Sequence, residues 1–183
     1  MGSYGYLYET LILQALSVAC FSPSETDVVM AFLSLAAFKL FVADQDYATP
    51  QDLENANGEY FKRYRVRLPQ DALSRLVDAR ILQRVGDDYK FRYPYYVYFF
   101  VASYIRGNIG KPRETAQLRS LVQEMADHVH YEQYANTLAF YIYLSKDGEA
   151  IQTVVRNAKQ IYDDLPSCDF DGETAFVLSL IHI

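Results

Sequence analysis

A mainly α-helical fold with one β-hairpin is predicted by the spacing of apolar residues along the chain. Over most of its length apolar residues recur every three or four positions, which is the period of an amphipathic helix. Residues 89–93 differ, because aromatic and basic side chains alternate there with the two-residue period of a strand. The turn sequence Gly-Asp-Asp at 86–88 precedes them, and a short apolar stretch lies at 81–85. We therefore predict two strands, 81–85 and 89–93, joined as a hairpin.

A buried helix is predicted directly after the hairpin. Pro94 suits the first position of a helix, where no amide donor is needed. From 95 to 105 only Ser103 is neither apolar nor aromatic, and a helix that is apolar on nearly every side is buried inside a domain. The segment is too short to cross a bilayer, which needs about 20 apolar residues. We expect this helix to form the centre of the core.

Helices are also predicted before the hairpin. Residues 4–19 have helical spacing, and Ser22-Pro23 followed by Glu25 is the start signal of a buried helix that runs to about 43. Thr49-Pro50 gives the same signal for a helix that runs toward residue 64. A further helix is predicted from 69 to 80. Helix, helix and hairpin in this order, with the buried helix after them, are the plan of a winged-helix-like domain.

A domain boundary is predicted at residues 107–112, where Gly, Asn and Pro follow one another closely. We assign 1–109 to a helical plus winged-helix-like regulatory domain. Three amphipathic helices in 112–177 predict an antiparallel helical segment, the start of a possible sensor array. Residues 178–183 have the apolar sequence LSLIHI, which resembles a translated sequencing adapter, so we expect a non-native tail; an ordinary truncated strand is the alternative.

Composition places the chain among globular proteins. Of its 183 residues 51% are hydrophobic and 15% aromatic, which is enough for a core. The net charge is −6, yet residues 61–93 hold nine bases and four acids. Cys20 and Cys168 have no metal-binding spacing, and the N-terminus lacks a signal peptide, so we expect a reducing, cytoplasmic location and no membrane.

The stretch FRYPYYVYFFVA resembles the end of the winged-helix domain in NACHT-type STAND NTPases, where a strand ending in Phe-Leu-His leads into a helix with a Phe-Phe-x-Ala end. Tyr93 occupies the position where His is usual. The residues that keep the pattern are Phe91, Phe99, Phe100 and Ala102. The residues that depart from it are Arg92, Pro94, Val97 and Tyr98. The Tyr-rich sequence of this stretch, together with SYGYLYETL at 3–11 and ANTLAFYIYLSKD at 135–147, resembles a bacterial branch of these NTPases that is linked to defence. The resemblance runs from about residue 3 to 164.

The resemblance implies that this region contacts a bound nucleotide, although the chain has no phosphate-binding motif. Neither G-x-x-x-x-G-K-[ST] nor G-x-G-x-x-G occurs, so we expect that this chain has no catalytic residues and is not an enzyme by itself. The resemblance implies that it is a fragment of a larger ATPase, which would bind ATP or ADP with Mg²⁺. In the family the strand-end His contacts the nucleotide phosphate. Tyr93 would do so as a phenolic donor, and Arg92 would supply charge if it faced the nucleotide, although strand alternation puts the two on opposite faces. The alternative, which we favour for Tyr93, is a Tyr buried against the core helix.

Other candidate sites have simpler explanations. The basic run at 62–67 has aromatic neighbours, as a nucleic-acid site would. The predicted recognition helix, however, carries Asp71 and Asp78 against Arg75 and Arg80, so we expect a solvated or intramolecular face. His128 and His130 are two residues apart and do not share a helix face, so no metal site is expected. The acidic pairs at 163–164 and 169–171 are predicted to lie in a solvated acidic loop and not to act as paired catalytic carboxylates.

We therefore predict a regulatory region of a STAND-type signalling ATPase, with a role in anti-phage defence or signal transduction. Its main partner would be the missing nucleotide-binding domain of the same chain, and the parent protein would add a protein ligand or a homo-oligomer. Nucleic acid is not expected as a partner. Two alternatives stay open: a winged-helix DNA-binding module, and a helical protein-interaction scaffold.

Overall fold

The computed structural model describes residues 2–19 and 21–160 of the chain. The predictions for Cys20, Cys168, the acidic pairs at 163–171 and the tail 178–183 lie outside these residues. Over the described part the elements are α1 (Gly2–Val18), α2 (Pro23–Val42), α3 (Pro50–Tyr64), α4 (Ala72–Asp78), β1 (Leu82–Val85), β2 (Asp88–Phe91), α5 (Pro94–Asn108), α6 (Thr115–Asp127), α7 (Glu132–Ser145) and α8 (Gly148–Gln160). The predicted fold class, mainly α with one hairpin wing followed by antiparallel helices, is confirmed.

The start signals of α2 and α3 act as predicted. The Ser22 hydroxyl accepts from the Glu25 amide while the Glu25 carboxylate accepts from the Ser22 amide, and Thr49 and Asp52 form the same reciprocal pair at α3. Each pair satisfies two amides that the first turn of a helix leaves unbonded. The predicted helix at 69–80 is shorter than expected. Asp71 makes no side-chain cap, and the segment from Pro69 to Ala72 is a turn before α4 begins.

The hairpin is antiparallel, with Leu82 opposite Phe91 and Val85 opposite Asp88. Both strands are shorter than predicted: β1 begins at Leu82, and β2 ends at Phe91, before α5 begins at Pro94. A third segment joins the sheet. Ala48 exchanges two backbone hydrogen bonds with Tyr89, at 2.8 and 2.9 Å, so the stretch between α2 and α3 lies along the free edge of β2. This bridge connects the hairpin to α3 and was not predicted.

Helix α5 forms the centre of the core, as the sequence predicts. It packs against both α2 and α7. Phe38 of α2 stacks on Tyr104 at 4.2 Å between ring centroids, and Phe140 of α7 meets the edge of Phe99 at 5.9 Å. The buried residues of α5 are Tyr96, Phe99, Phe100, Val101, Ala102, Ile105 and Asn108.

The helices after residue 112 are in contact with the preceding part of the chain. Helix α7 packs against α5 and α1, while α6 packs against α7 and α8. A hydrogen bond of 3.1 Å from the Tyr143 hydroxyl to the Glu9 carboxylate joins α7 to α1. The boundary between the predicted domains 1–109 and 112–177 stays a prediction. Over the described residues no helix has the length and hydropathy that a bilayer crossing needs.

Candidate functional site at the hairpin end

Tyr93 lies at the surface, where the hairpin passes into α5. It is the N-cap residue of α5, with extended backbone angles, and its side chain is 41% exposed. Its ring stacks on Tyr95 with 5.5 Å between centroids and lies 5.8 Å from Tyr96. The expectation of a buried Tyr93 is therefore wrong. Phe91 and Tyr96, on either side in sequence, are the residues that enter the core, and Tyr93 covers its rim.

Arg92 lies beside Tyr93, although strand alternation predicted opposite faces. Its guanidinium carbon is 5.9 Å from the Tyr93 ring centroid, and its Nη1 donates to Gln83 Oε1 at 3.0 Å. The two-residue period ends with β2 at Phe91, so it does not hold for the next two side chains. One exposed cation and one exposed phenol are therefore adjacent at the end of the hairpin.

A cleft of about 340 Å³ opens on the same side of the hairpin as Arg92. It lies between the end of α2, the loop that follows α2, the end of β2, and α5. Its charged and aromatic lining includes Lys90 and Arg92 from the hairpin side, Asp44, Asp46 and Tyr47 from the loop, and Tyr98 from α5. The Lys90 ammonium lies 5.6 Å from the Tyr47 ring centroid. Within residues 21–160 none of the four charged side chains forms an ion pair.

The cleft combines positive and negative sides. Burial raises the pKa of Tyr98, and the carboxylates of Glu132 and Asp46 act in the same direction, so this phenol stays protonated and can donate a hydrogen bond. Charges without an ion-pair partner can contact a ligand without first breaking an ion pair inside the protein. The cations can contact an anionic part of a ligand, the Tyr98 hydroxyl can donate to an acceptor, and the carboxylates, which only accept, suit a donor or a cation.

Lys90, Tyr47 and the two aspartates were not among the predicted site residues. Lys90 was detectable, because it shares the strand period with Arg92. The loop residues were not, since their approach to the hairpin depends on the bridge between Ala48 and Tyr89.

The basic run at the end of α3 is partly engaged inside the protein. Arg63 donates to Asn108 and Glu114, and Arg67 lies 4.7 Å from the Phe61 ring centroid. The cation of α4 is engaged as well. Arg75 donates to the Ala19 carbonyl at 2.9 Å and stacks over Phe21 at 3.9 Å. This removes the basic side chain that α4 would need to read DNA, so the DNA-binding alternative gains no support from α4.

His128 and His130 follow α6, with ring centroids 5.8 Å apart. The Nδ1 of His128 is 3.0 Å from the Glu124 carbonyl oxygen, and His130 lies against Tyr131. Over the part of the chain that the structure describes, no group of three or more His, Cys, Asp or Glu side chains could hold a metal ion.

Comparison with protein families gives a match that overlaps this site. Residues 46–101 match the family model described as Novel STAND NTPase 4. The matched segment begins in the loop beside the cleft, contains α3, α4 and the hairpin, and ends inside α5. It is just under a third of the chain, and it supports a relationship to STAND NTPases. No curated protein is significantly similar to the chain.

Proposed function

We propose that this chain is the control region of a STAND NTPase, which holds a nucleotide-binding domain in its resting state until a signal releases it. The observation that carries the proposal is the family match at 46–101, because it coincides with the α3, α4 and hairpin unit and with the cleft beside it. We further propose that the protein acts in bacterial signalling or defence and works in the cytoplasm. The resemblance to NACHT-type proteins in the hairpin and α5 supports these finer points.

The element order supports the interpretation of this unit as a winged helix. Helix α2 leads to the short edge segment at Ala48, then come α3, α4 and the two strands of the hairpin. In this interpretation the hairpin is the wing, and α5 fixes it to the rest of the chain. The wing would then dock on the nucleotide-binding domain with its Arg92 and Tyr93 end foremost.

The residues at the wing end fit the outer side of a nucleotide phosphate. Arg92 and Lys90 offer positive charge, and the exposed Tyr93 hydroxyl offers a donor. They do not form the cradle of backbone amides that holds a phosphate chain, so the nucleotide-binding domain would have to bind ATP or ADP with Mg²⁺ itself. When bound, the nucleotide would supply the negative charge that the wing residues contact. The wing would contribute a contact that only the resting arrangement makes.

Control then depends on a difference in free energy between two arrangements. A signal ligand can shift the equilibrium only if it has unequal affinity for the resting and active states. The helices from α6 onward are where we expect such a ligand, either a protein or a second copy of the parent. Contacts of α7 with α5 join those helices to the wing.

Recovery of the upstream reading frame tests the proposal first. A STAND NTPase must have a Walker A motif before residue 1 of this chain, whereas a helical interaction scaffold needs none. A complete upstream frame without that motif would refute the proposal.

A second test uses the full-length protein loaded with ADP. Arg92→Ala should accelerate ADP release by roughly 10- to 100-fold, the range for loss of a hydrogen bond to a charged group. Arg84→Ala is the matched control, because Arg84 lies in the same hairpin but is paired with Asp87 at 3.2 Å. Equal release rates in both variants would refute the role of Arg92.

A further inference from the structure

A polar cluster ties the end of α3 to the segment between α5 and α6. Arg63 Nη2 donates to Asn108 Oδ1 at 3.0 Å and to the Glu114 carboxylate. The Tyr104 hydroxyl donates to the other Glu114 oxygen at 3.1 Å. Lys111 Nζ donates to Asn108 Oδ1 at 2.6 Å and to the Tyr64 hydroxyl at 3.2 Å. The cluster therefore joins residues 45 to 51 positions apart along the chain.

The cluster is neither a solvated surface pair nor part of the apolar core. The side chains of Arg63 and Glu114 are 27% and 24% exposed, and Asn108 is buried. Charge-assisted hydrogen bonds that are partly shielded from water contribute more than exposed pairs, yet water can still replace them when they open. By contrast, apolar packing joins α5 to α7. The polar cluster is the more easily reversed of the two connections.

Two glycines lie between residues of the cluster along the chain, and the closed geometry requires neither of them. Gly107 and Gly110 have no positive φ, and a Cβ added at either would meet no atom within 4 Å. Glycine there serves neither a left-handed turn nor a close approach of two segments. What it does provide is backbone freedom, which favours any state in which the segment is released.

We propose that residues 107–114 are a hinge that the Arg63–Glu114 cluster holds closed. Opening of the cluster frees the start of α6 from α3 while the wing and the core around α5 stay folded. Such a device would let an event on α6 to α8 be transmitted to the wing or uncoupled from it. The inference concerns this chain alone and holds whether or not the proposed NTPase function is correct.

Hydrogen exchange on the whole chain tests the hinge. The reporters are the backbone amides of Lys111, Glu114 and Thr115, because their acceptors, the carbonyls of Asn108 and Lys111, lie within the hinge segment. Glu114→Gln keeps the shape of the side chain but removes its charge, and should accelerate exchange of these amides at least tenfold, with no change in α2 or in the first turns of α5. Gly110→Ala should slow the same amides by roughly two- to fivefold, because it restricts the open state.

Glu149→Gln is the matched control, because it removes the charge of an exposed ion pair with Arg119 in the same helical segment. The hinge amides should not respond to it. The proposal is overturned if Glu114→Gln leaves the hinge amides unchanged or acts no more strongly than Glu149→Gln. Equal acceleration throughout α2 and α5 also overturns it, since the cluster would then support global stability. Faster exchange in Gly110→Ala would contradict the hinge even if Glu114→Gln failed to fold.

Discussion

Replacement of Thr137 by Val should stabilise the protein. Thr137 lies in α7, is 0% exposed, and its hydroxyl oxygen has no hydrogen-bond partner in the part of the chain that the structure describes. A buried polar group without a partner costs about 1–3 kcal/mol. Val has nearly the same shape and a similar helix propensity, so little else changes. We expect the free energy of unfolding to rise by about 1 kcal/mol, which corresponds to a Tm increase of roughly 2–4 °C for a chain of this size.

Urea unfolding followed by circular dichroism measures this effect, with an unchanged m-value as the sign that only stability has changed. Thr115→Val is the matched control. The Thr115 hydroxyl donates to the Lys111 carbonyl at 2.8 Å, so the same substitution there should destabilise the protein by about 1 kcal/mol. If Thr137→Val lowered stability as Thr115→Val does, the Thr137 hydroxyl would have to be bonded, and the reasoning would be refuted.

Two further predictions concern the core and the cap of α3. Phe100→Ala should lower the free energy of unfolding by about 3–5 kcal/mol, because the side chain is fully buried and its ring centroid lies 5.7 Å from that of Phe91. Tyr93→Ala, at the surface, should lower it by less than about 1 kcal/mol. Urea unfolding of both variants measures the difference. The pKa of Asp52 is lowered by hydrogen bonds from the side chain and the backbone of Thr49. This contribution to stability is therefore present above the unfolded pKa of 3.8 and is lost as pH falls through the lower folded value. Thr49→Ala should raise the Asp52 pKa in an NMR titration and flatten the acid limb of the stability curve; an unmoved pKa would contradict the assigned cause.

Local sequence signals were sufficient to predict where a helix begins, because certain residue types suit the backbone positions at a helix start. The Ser-Pro and Thr-Pro caps gave the first residues of α2 and α3, and Pro94 gave the first residue of α5. The aromatic stretch after it gave the buried helix. These features depend on neighbours within four positions, which the sequence displays directly.

Predictions failed where a side chain's surroundings come from distant segments. Tyr93 was expected in the core, but Phe91 and Tyr96 are the buried side chains of this segment, and Tyr93 between them is exposed. The aspartates of the cleft come beside Arg92 only because Ala48 pairs with Tyr89. The domain boundary at 107–112 stays a prediction, but the hydrogen bond that Arg63 of α3 donates to Asn108 there was not predicted.

By itself, then, the sequence determined the order of the elements, the helix starts and the identity of the central helix, because period and capping are local properties. Only the tertiary structure decided which charges line the cleft and which hold the segment after α5. Both depend on contacts between distant residues, namely the bridge of Ala48 with Tyr89 and the hydrogen bonds of Arg63 with Asn108 and Glu114, 45 and 51 positions away. No spacing rule along the chain encodes such contacts.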